Sequence, residues 1–122
     1  MALKVLIADD ALFMRNLLKD ILVRTGFQVV AEATNGKEAV ELYQQHRPDL
    51  VTMDIVMPLQ SGIEALEEIM TSDPDAQVVM CSALGQESLV LEAVQAGAKD
   101  FIVKPFKEER VVEVVRRVTG QP

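Results

Sequence analysis

The chain has 122 residues and a mass of 13.5 kDa, the length of one domain. A fold of this mass exposes about 6,500 Å² against about 20,000 Å² for the extended chain, so one core can form without disulfide or metal staples. With 49% hydrophobic and 25% charged residues the composition is globular, and 12 Lys and Arg against 19 Asp and Glu, a net charge of -7, argue against nonspecific nucleic-acid binding.

In chain order, Lys4 to Ala8 reads as a buried strand. Met14, Leu17, Leu18, Ile21 and Leu22 follow with helical spacing, and Gly26 is the stop. Val29 to Ala33 is a second, weaker strand, and Thr34-Asn35-Gly36 a turn. A helix from Lys37 to His46 ends at Arg47-Pro48. Asp49 to Met53 is the third strand, and Met57-Pro58 through Ser61-Gly62 a loop. Ile63, Leu66, Ile69 and Met70 carry the third helix, which turns at Ser72 to Asp75. Gln77 to Cys81 is the fourth strand; Val90, Ala93 and Val94 line the fourth helix, closed by Gly97. Asp100 to Val103 is the fifth strand, and Val111, Val114, Val115 and Val118 line the last helix. The closing Thr119 to Pro122 is either a natural tail or the cut end of a linker.

Five β/α units predict an α/β fold, a doubly wound parallel sheet of five strands covered by helices on both faces, with right-handed crossovers. Cys81, the one cysteine, excludes an intramolecular disulfide and a cysteine-rich zinc site, and it reads as a small core residue. His46, the one histidine, excludes a multi-histidine metal centre and reads as a solvated helix end. No apolar run reaches the roughly 18 residues of a membrane span, and the N-terminus meets acid too soon for a signal peptide. A cytoplasmic location is therefore expected.

Ligands of such folds bind at the carboxyl ends of the strands. Asp9 and Asp10 follow the first strand, Asp54 the third, Ser82 the fourth, and Lys104 and Pro105 the fifth. Neighbouring carboxylates repel unless a positive charge sits among them. Few protein ligands, all oxygen, suit Mg²⁺. Lys104 and Ser82 suit the remaining oxygens of a phosphoryl group, whose transfer needs mainly positioning and charge neutralisation, and an Asp carboxylate can be the nucleophile.

Four stretches carry a resemblance: Leu6-Ile7-Ala8-Asp9-Asp10, Met53-Asp54-Ile55-Val56-Met57-Pro58, Cys81-Ser82-Ala83, and Ala96 through Phe106 with its Lys104-Pro105. Together they resemble response-regulator receiver domains over essentially the whole chain, most of all stand-alone chemotaxis receivers of the CheY type. The resemblance implies a flavodoxin-like strand order 2-1-3-4-5. It implies that Asp54 is the phosphoacceptor, and that Asp10, Asp54 and the backbone carbonyl of Val56 bind Mg²⁺, with Asp9 acting through a metal-bound water. Lys104 would pair with the phosphoryl group. Ser82 would turn inward to it, and Phe101 would follow from exposed to buried. A core role for Phe101 is not separable from this in the sequence. The Lys104-Pro105 peptide would be cis.

The chain departs from much of that family in three ways: Ser82 in place of the commoner Thr, Phe101 in place of Tyr, and apolar Val56 and Leu84 two residues beyond Asp54 and Ser82. Apolar flanks predict a shielded phosphoryl group that hydrolyses slowly. The implied function is a phosphorylation-activated binding module, with self-phosphorylation and slow autodephosphorylation as its only chemistry. A CheA-type histidine kinase would be the donor. With no room for an output domain, the target would be another protein, a flagellar motor switch protein of the FliM type. It would dock on the fourth helix, fifth strand and fifth helix near Val90, Gln95, Lys99 and Phe101. A dedicated phosphatase, a monomeric state, and no nucleic-acid or membrane partner complete the expectation. The alternatives are a phosphorelay shuttle, a phosphate sink, or a receiver excised from a larger regulator. An Asp-nucleophile phosphatase lacks its second acid, because Val56 stands there.

Overall fold

The computed structural model describes residues 2–121, so readings that touch Met1 or the Pro122 end of the tail lie partly outside the described residues. In chain order the elements are β1 (Lys4–Ala8), α1 (Leu12–Arg24), β2 (Gln28–Ala33), α2 (Gly36–His46), β3 (Leu50–Asp54), α3 (Gly62–Ser72), β4 (Val78–Ser82), α4 (Glu87–Gln95), β5 (Asp100–Val103) and α5 (Glu108–Thr119). All neighbouring strands pair parallel, in the order β2-β1-β3-β4-β5. The β/α alternation predicts the parallel α/β sheet, and the order is the flavodoxin-like one that the resemblance to receiver domains implies.

The period of two along each strand divides the core into two layers. Leu6, Ala8, Val51, Met53, Val78 and Met80 face α2, α3 and α4, meeting Tyr43, Ile63, Leu66, Ile69 and Ala93. Val5, Ile7, Leu50, Val79, Cys81 and Ile102 face α1 and α5, meeting Leu18, Ile21, Leu22, Val111, Val114 and Val115. Both layers are closed because parallel strands are joined by helices that cover the sheet. Between Val5 and Leu6 the β2 register slips from Val29 to Ala31, which leaves one extra residue on that edge strand.

Local chemistry sets the helix ends. Asn35 caps α2 by accepting from the Glu38 N–H, and Ser61 with Glu64 forms a reciprocal capping box on α3. Arg47, in the left-handed region at φ 44°, ends α2 before Pro48. The strand ends differ from the sequence reading by one residue. Asp54 and Ser82 are the last residues of β3 and β4, paired with Cys81 and Val103. A backbone ladder continues past an apolar run because its hydrogen bonds do not depend on the side chain. Helix α4 also differs. Val94 is 46% exposed and only Ala93 is buried, so its apolar positions do not all reach the core.

Two glycines hold the loop after β3 in place. A Cβ on Gly62 would lie 1.9 Å from the Asp54 carbonyl oxygen, and one on Gly36 would lie 2.4 Å from the Gln60 carbonyl oxygen. The same backbones are hydrogen-bonded, Gly62 N–H to Ile55 O at 2.8 Å and Gly36 N–H to Gln60 O at 2.9 Å. Gly62→Ala is therefore expected to lower stability by about 3 kcal/mol, because backbone must move. Gly26→Ala strains only a φ of 100° and meets no atom, so it should cost about 1–2 kcal/mol. Urea midpoints of the two variants check this; equal losses would show that the loop absorbs the Gly62 methyl.

Candidate functional site

Strand order reverses between β1 and β3, which lie side by side although β2 separates them in sequence. Crevices at such switch points, outside the carboxyl ends of the strands, bind ligands. Asp9 follows β1, and Asp54 ends β3. The parallel register aligns these ends, so residues 45 apart in sequence share one edge. Asp9 is 4% exposed and Asp54 8%, whereas Asp10 is exposed. One carboxylate oxygen from each of Asp9, Asp10 and Asp54 lies within 4.8 Å of the others.

Lys104, just after β5, reaches across with its Nζ 2.8 Å from Asp9 Oδ2 and 3.3 Å from Asp54 Oδ2. Its backbone N–H donates to Ser82 O at 2.7 Å, and the Lys104–Pro105 peptide is cis. Burial opposes the Lys104 charge, but Asp9 and Asp54 outweigh it and hold its pKa above the ordinary value. One ammonium does not satisfy three carboxylates. Burial, and then the Asp9 charge, push the Asp54 carboxyl up to about 6 in spite of Lys104. A hard divalent cation with oxygen ligands fits this residual negative charge, and the donor set of three carboxylates suits it.

The geometry brings Asp9, Asp10, Asp54 and Lys104 together. Val56 follows on the loop and is 56% exposed, and Leu84, after β4, is 83% exposed. Ser82 is buried and Phe101 half-buried; both line an apolar cavity of about 370 Å³ with Leu84, Val90, Leu91 and Val103. Cys81, beside Asp54 in the ladder, is buried in the core, where desolvation pushes its thiol pKa up.

Sequence reasoning passed over Gly62, Gly36 and Arg15. The Arg15 guanidinium donates to the Asp9 carbonyl oxygen at 2.8 Å and to Glu32 Oε1 at 3.0 Å. Its signal was a local conflict, a cation in the first turn of α1, where the helix dipole disfavours positive charge.

A raised Asp54 pKa means that the folded chain binds this proton more tightly than the unfolded chain. Its contribution is therefore lost as pH rises from about 4 through about 6. In metal-free buffer at pH 7.5, Asp54→Asn is expected to be more stable than wild type by about 1–3 kcal/mol, with the gap closing toward pH 4. Denaturation in EDTA across this range checks it; a more stable wild type at pH 7.5 would contradict it.

Residues 5–116 match the family model of the response regulator receiver domain. The chain is 61% identical over 117 residues to the chemotaxis protein CheY of Bacillus subtilis, covering 96% of this chain and 98% of that one. It is 57% identical over 119 residues to the CheY of Thermotoga maritima, covering 98% and 99%. Among solved structures, the CheX-CheY-BeF3-Mg+2 complex from Borrelia burgdorferi contains a chain that superposes with a TM-score of 0.91 at 43% identity, covering 95% of this chain and 88% of that one. With its parallel sheet in the order 2-1-3-4-5 and its acidic cluster at the switch point, the chain belongs to the response-regulator receiver domains, and within them to the CheY type.

Proposed function

We propose that this receiver domain is a chemotaxis switch that accepts a phosphoryl group on Asp54 from a CheA-type histidine kinase. The observation that carries the reading is the cluster itself, with the oxygens of Asp9, Asp10 and Asp54 within 4.8 Å of one another and Lys104 Nζ at 2.8 and 3.3 Å. In this reading an Asp54 carboxylate oxygen attacks the phosphorus of a phosphoimidazole, the phosphorus–nitrogen bond breaks, and the imidazole leaves. Lys104 then pairs with a phosphoryl oxygen. Asp10, Asp54 and the Val56 carbonyl would hold Mg²⁺, with Asp9 acting less directly from beside them. When bound, the ion neutralises charge on the transferring group.

Ser82 and Phe101 carry the signal outward. Both border the same 370 Å³ apolar cavity beside α4, so a Ser82 hydroxyl drawn toward the phosphoryl group vacates space that the Phe101 ring can fill. The face of α4, β5 and α5 then takes a flagellar motor switch protein of the FliM type. Exposed Leu91, Val94 and Val103 give this face an apolar character that supports docking. The CheX found with the Borrelia burgdorferi relative supports a further partner of that kind. No helix among the described residues is long and apolar enough to cross a membrane.

Incubation with acetyl phosphate and Mg²⁺ should add one phosphoryl group to wild type and none to Asp54→Asn, read by intact mass. Labelling of folded Asp54→Asn would move the acceptor elsewhere, and no labelling of wild type would defeat the reading. Val56 and Leu84, two residues beyond Asp54 and Ser82, carry no polar group that could orient water. Val56→Asn should therefore shorten the phosphoryl lifetime, by about tenfold if the asparagine positions the attacking water. An unchanged lifetime would remove shielding as the cause of slow hydrolysis.

A further inference from the structure

Every backbone polar atom of Asp9 is spoken for. Its N–H donates to Ala33 O at 3.0 Å, and its carbonyl oxygen accepts from Arg15 Nη1 at 2.8 Å. Its side chain is held as well, with Oδ1 accepting from the Ala11 N–H at 2.9 Å and Oδ2 beside Lys104. Asp10 is different. It is exposed, and among the described residues no hydrogen bond holds its carboxylate, so its position depends on the backbone on either side. That backbone is tied at the Asp9 carbonyl and at the Ala11 N–H. The first tie is Arg15, whose side chain is 12% exposed and whose guanidinium is oriented by Glu32 on β2, which Lys19 also pairs at 3.3 Å.

We infer that Arg15, held by Glu32, is a positioning residue that sets the direction of the Asp9–Asp10 peptide and thereby makes the acidic cluster selective for Mg²⁺ over Ca²⁺. The inference rests on the proposed metal reading of Asp9, Asp10 and Asp54. Mg²⁺ demands near-ideal octahedral geometry at short distances, whereas Ca²⁺ accepts longer bonds and irregular ligand sets. A loosened Asp10 therefore costs Mg²⁺ more. The alternative role, a mere surface charge, has the opposite sign, because removing a cation beside an acidic cluster tightens the binding of both ions. The planar guanidinium reaches two acceptors with separate N–H groups, a geometry that the single ammonium of lysine does not reproduce.

The experiment is a thermal-shift titration of wild type, Arg15→Lys and Arg15→Gln with MgCl₂ and separately with CaCl₂, at constant ionic strength after EDTA stripping. Each metal-free Tm is measured first, so that stability and affinity are read separately. Both variants should bind Mg²⁺ about tenfold more weakly, the scale typical of lost outer-shell partners, and Ca²⁺ no more than about threefold more weakly. Glu32→Gln, which leaves the guanidinium in place but frees its orientation, should shift the Mg²⁺-to-Ca²⁺ ratio in the same direction. If wild type binds Mg²⁺ and the variants lose both ions equally, lose neither, or bind them more tightly, the positioning role is overturned while the metal reading stands. If wild type gives no Mg²⁺ response, the metal reading falls and takes this inference with it.

Discussion

The constraint on which this domain turns is charge: three carboxylates and one ammonium meet at one edge of a parallel sheet. Lys104 bridges Asp9 and Asp54, yet the Asp54 carboxyl still rises to about 6. The site is therefore short of positive charge. The acidic cluster suits the divalent cation that receiver domains bind, because such an ion supplies the positive charge the cluster lacks, and the proposed phosphoryl transfer would depend on that neutralisation. Repulsion among the three carboxylates is a destabilising load that the surrounding core must carry.

The support for the cluster is mostly backbone. The Gly62 backbone closes against the Asp54 carbonyl so tightly that no side chain fits, and its N–H ties back to Ile55. Gly36, at the start of α2, makes the equivalent close contact with Gln60 in the same loop. The loop after Asp54 is thus braced from α2 and from α3. On the other side Arg15 and Glu32 brace Asp9 from α1 and β2. The carboxylates thus stand on a rigid frame, and charges held in place need little reorganisation when a ligand binds.

Opposite this rigid side lies a softer one. Helix α4 buries only Ala93, whereas α3 buries five residues, and an apolar cavity separates α4 from β5. Few buried contacts mean a low cost of local rearrangement. The close backbone contacts thus lie beside the acidic cluster, and the sparsely buried helix lies beside the cavity. Ser82 and Phe101 stand between the two regions, bordering the cavity.

Much of this was legible in the sequence, for identifiable reasons. The strands are short apolar runs with acid, hydroxyl and lysine at their ends, and the helices have a 3.6-residue period, so the α/β class and the placing of Asp9, Asp10, Asp54, Ser82 and Lys104 at the strand ends could be read without coordinates. Those signals are local, or follow from the general rule that parallel sheets bind ligands at their carboxyl ends. The one-residue shift of β3 and β4 was not legible, because ladder pairing ignores side-chain polarity. The exposure of Val94 was not legible either, because helical period says which residues share a face and not how closely that face approaches the sheet. Gly62 and Gly36 look like ordinary loop glycines until the backbone opposite them is in place, and Arg15 looks like surface charge until Glu32 and the Asp9 carbonyl close around it. Sequence by itself determined which chemistry the strand ends carry, since residue type and period are properties of the chain. Only the tertiary structure decided how far apart the charges stand and what holds them there, because those distances come from strand register and packing between residues remote in sequence.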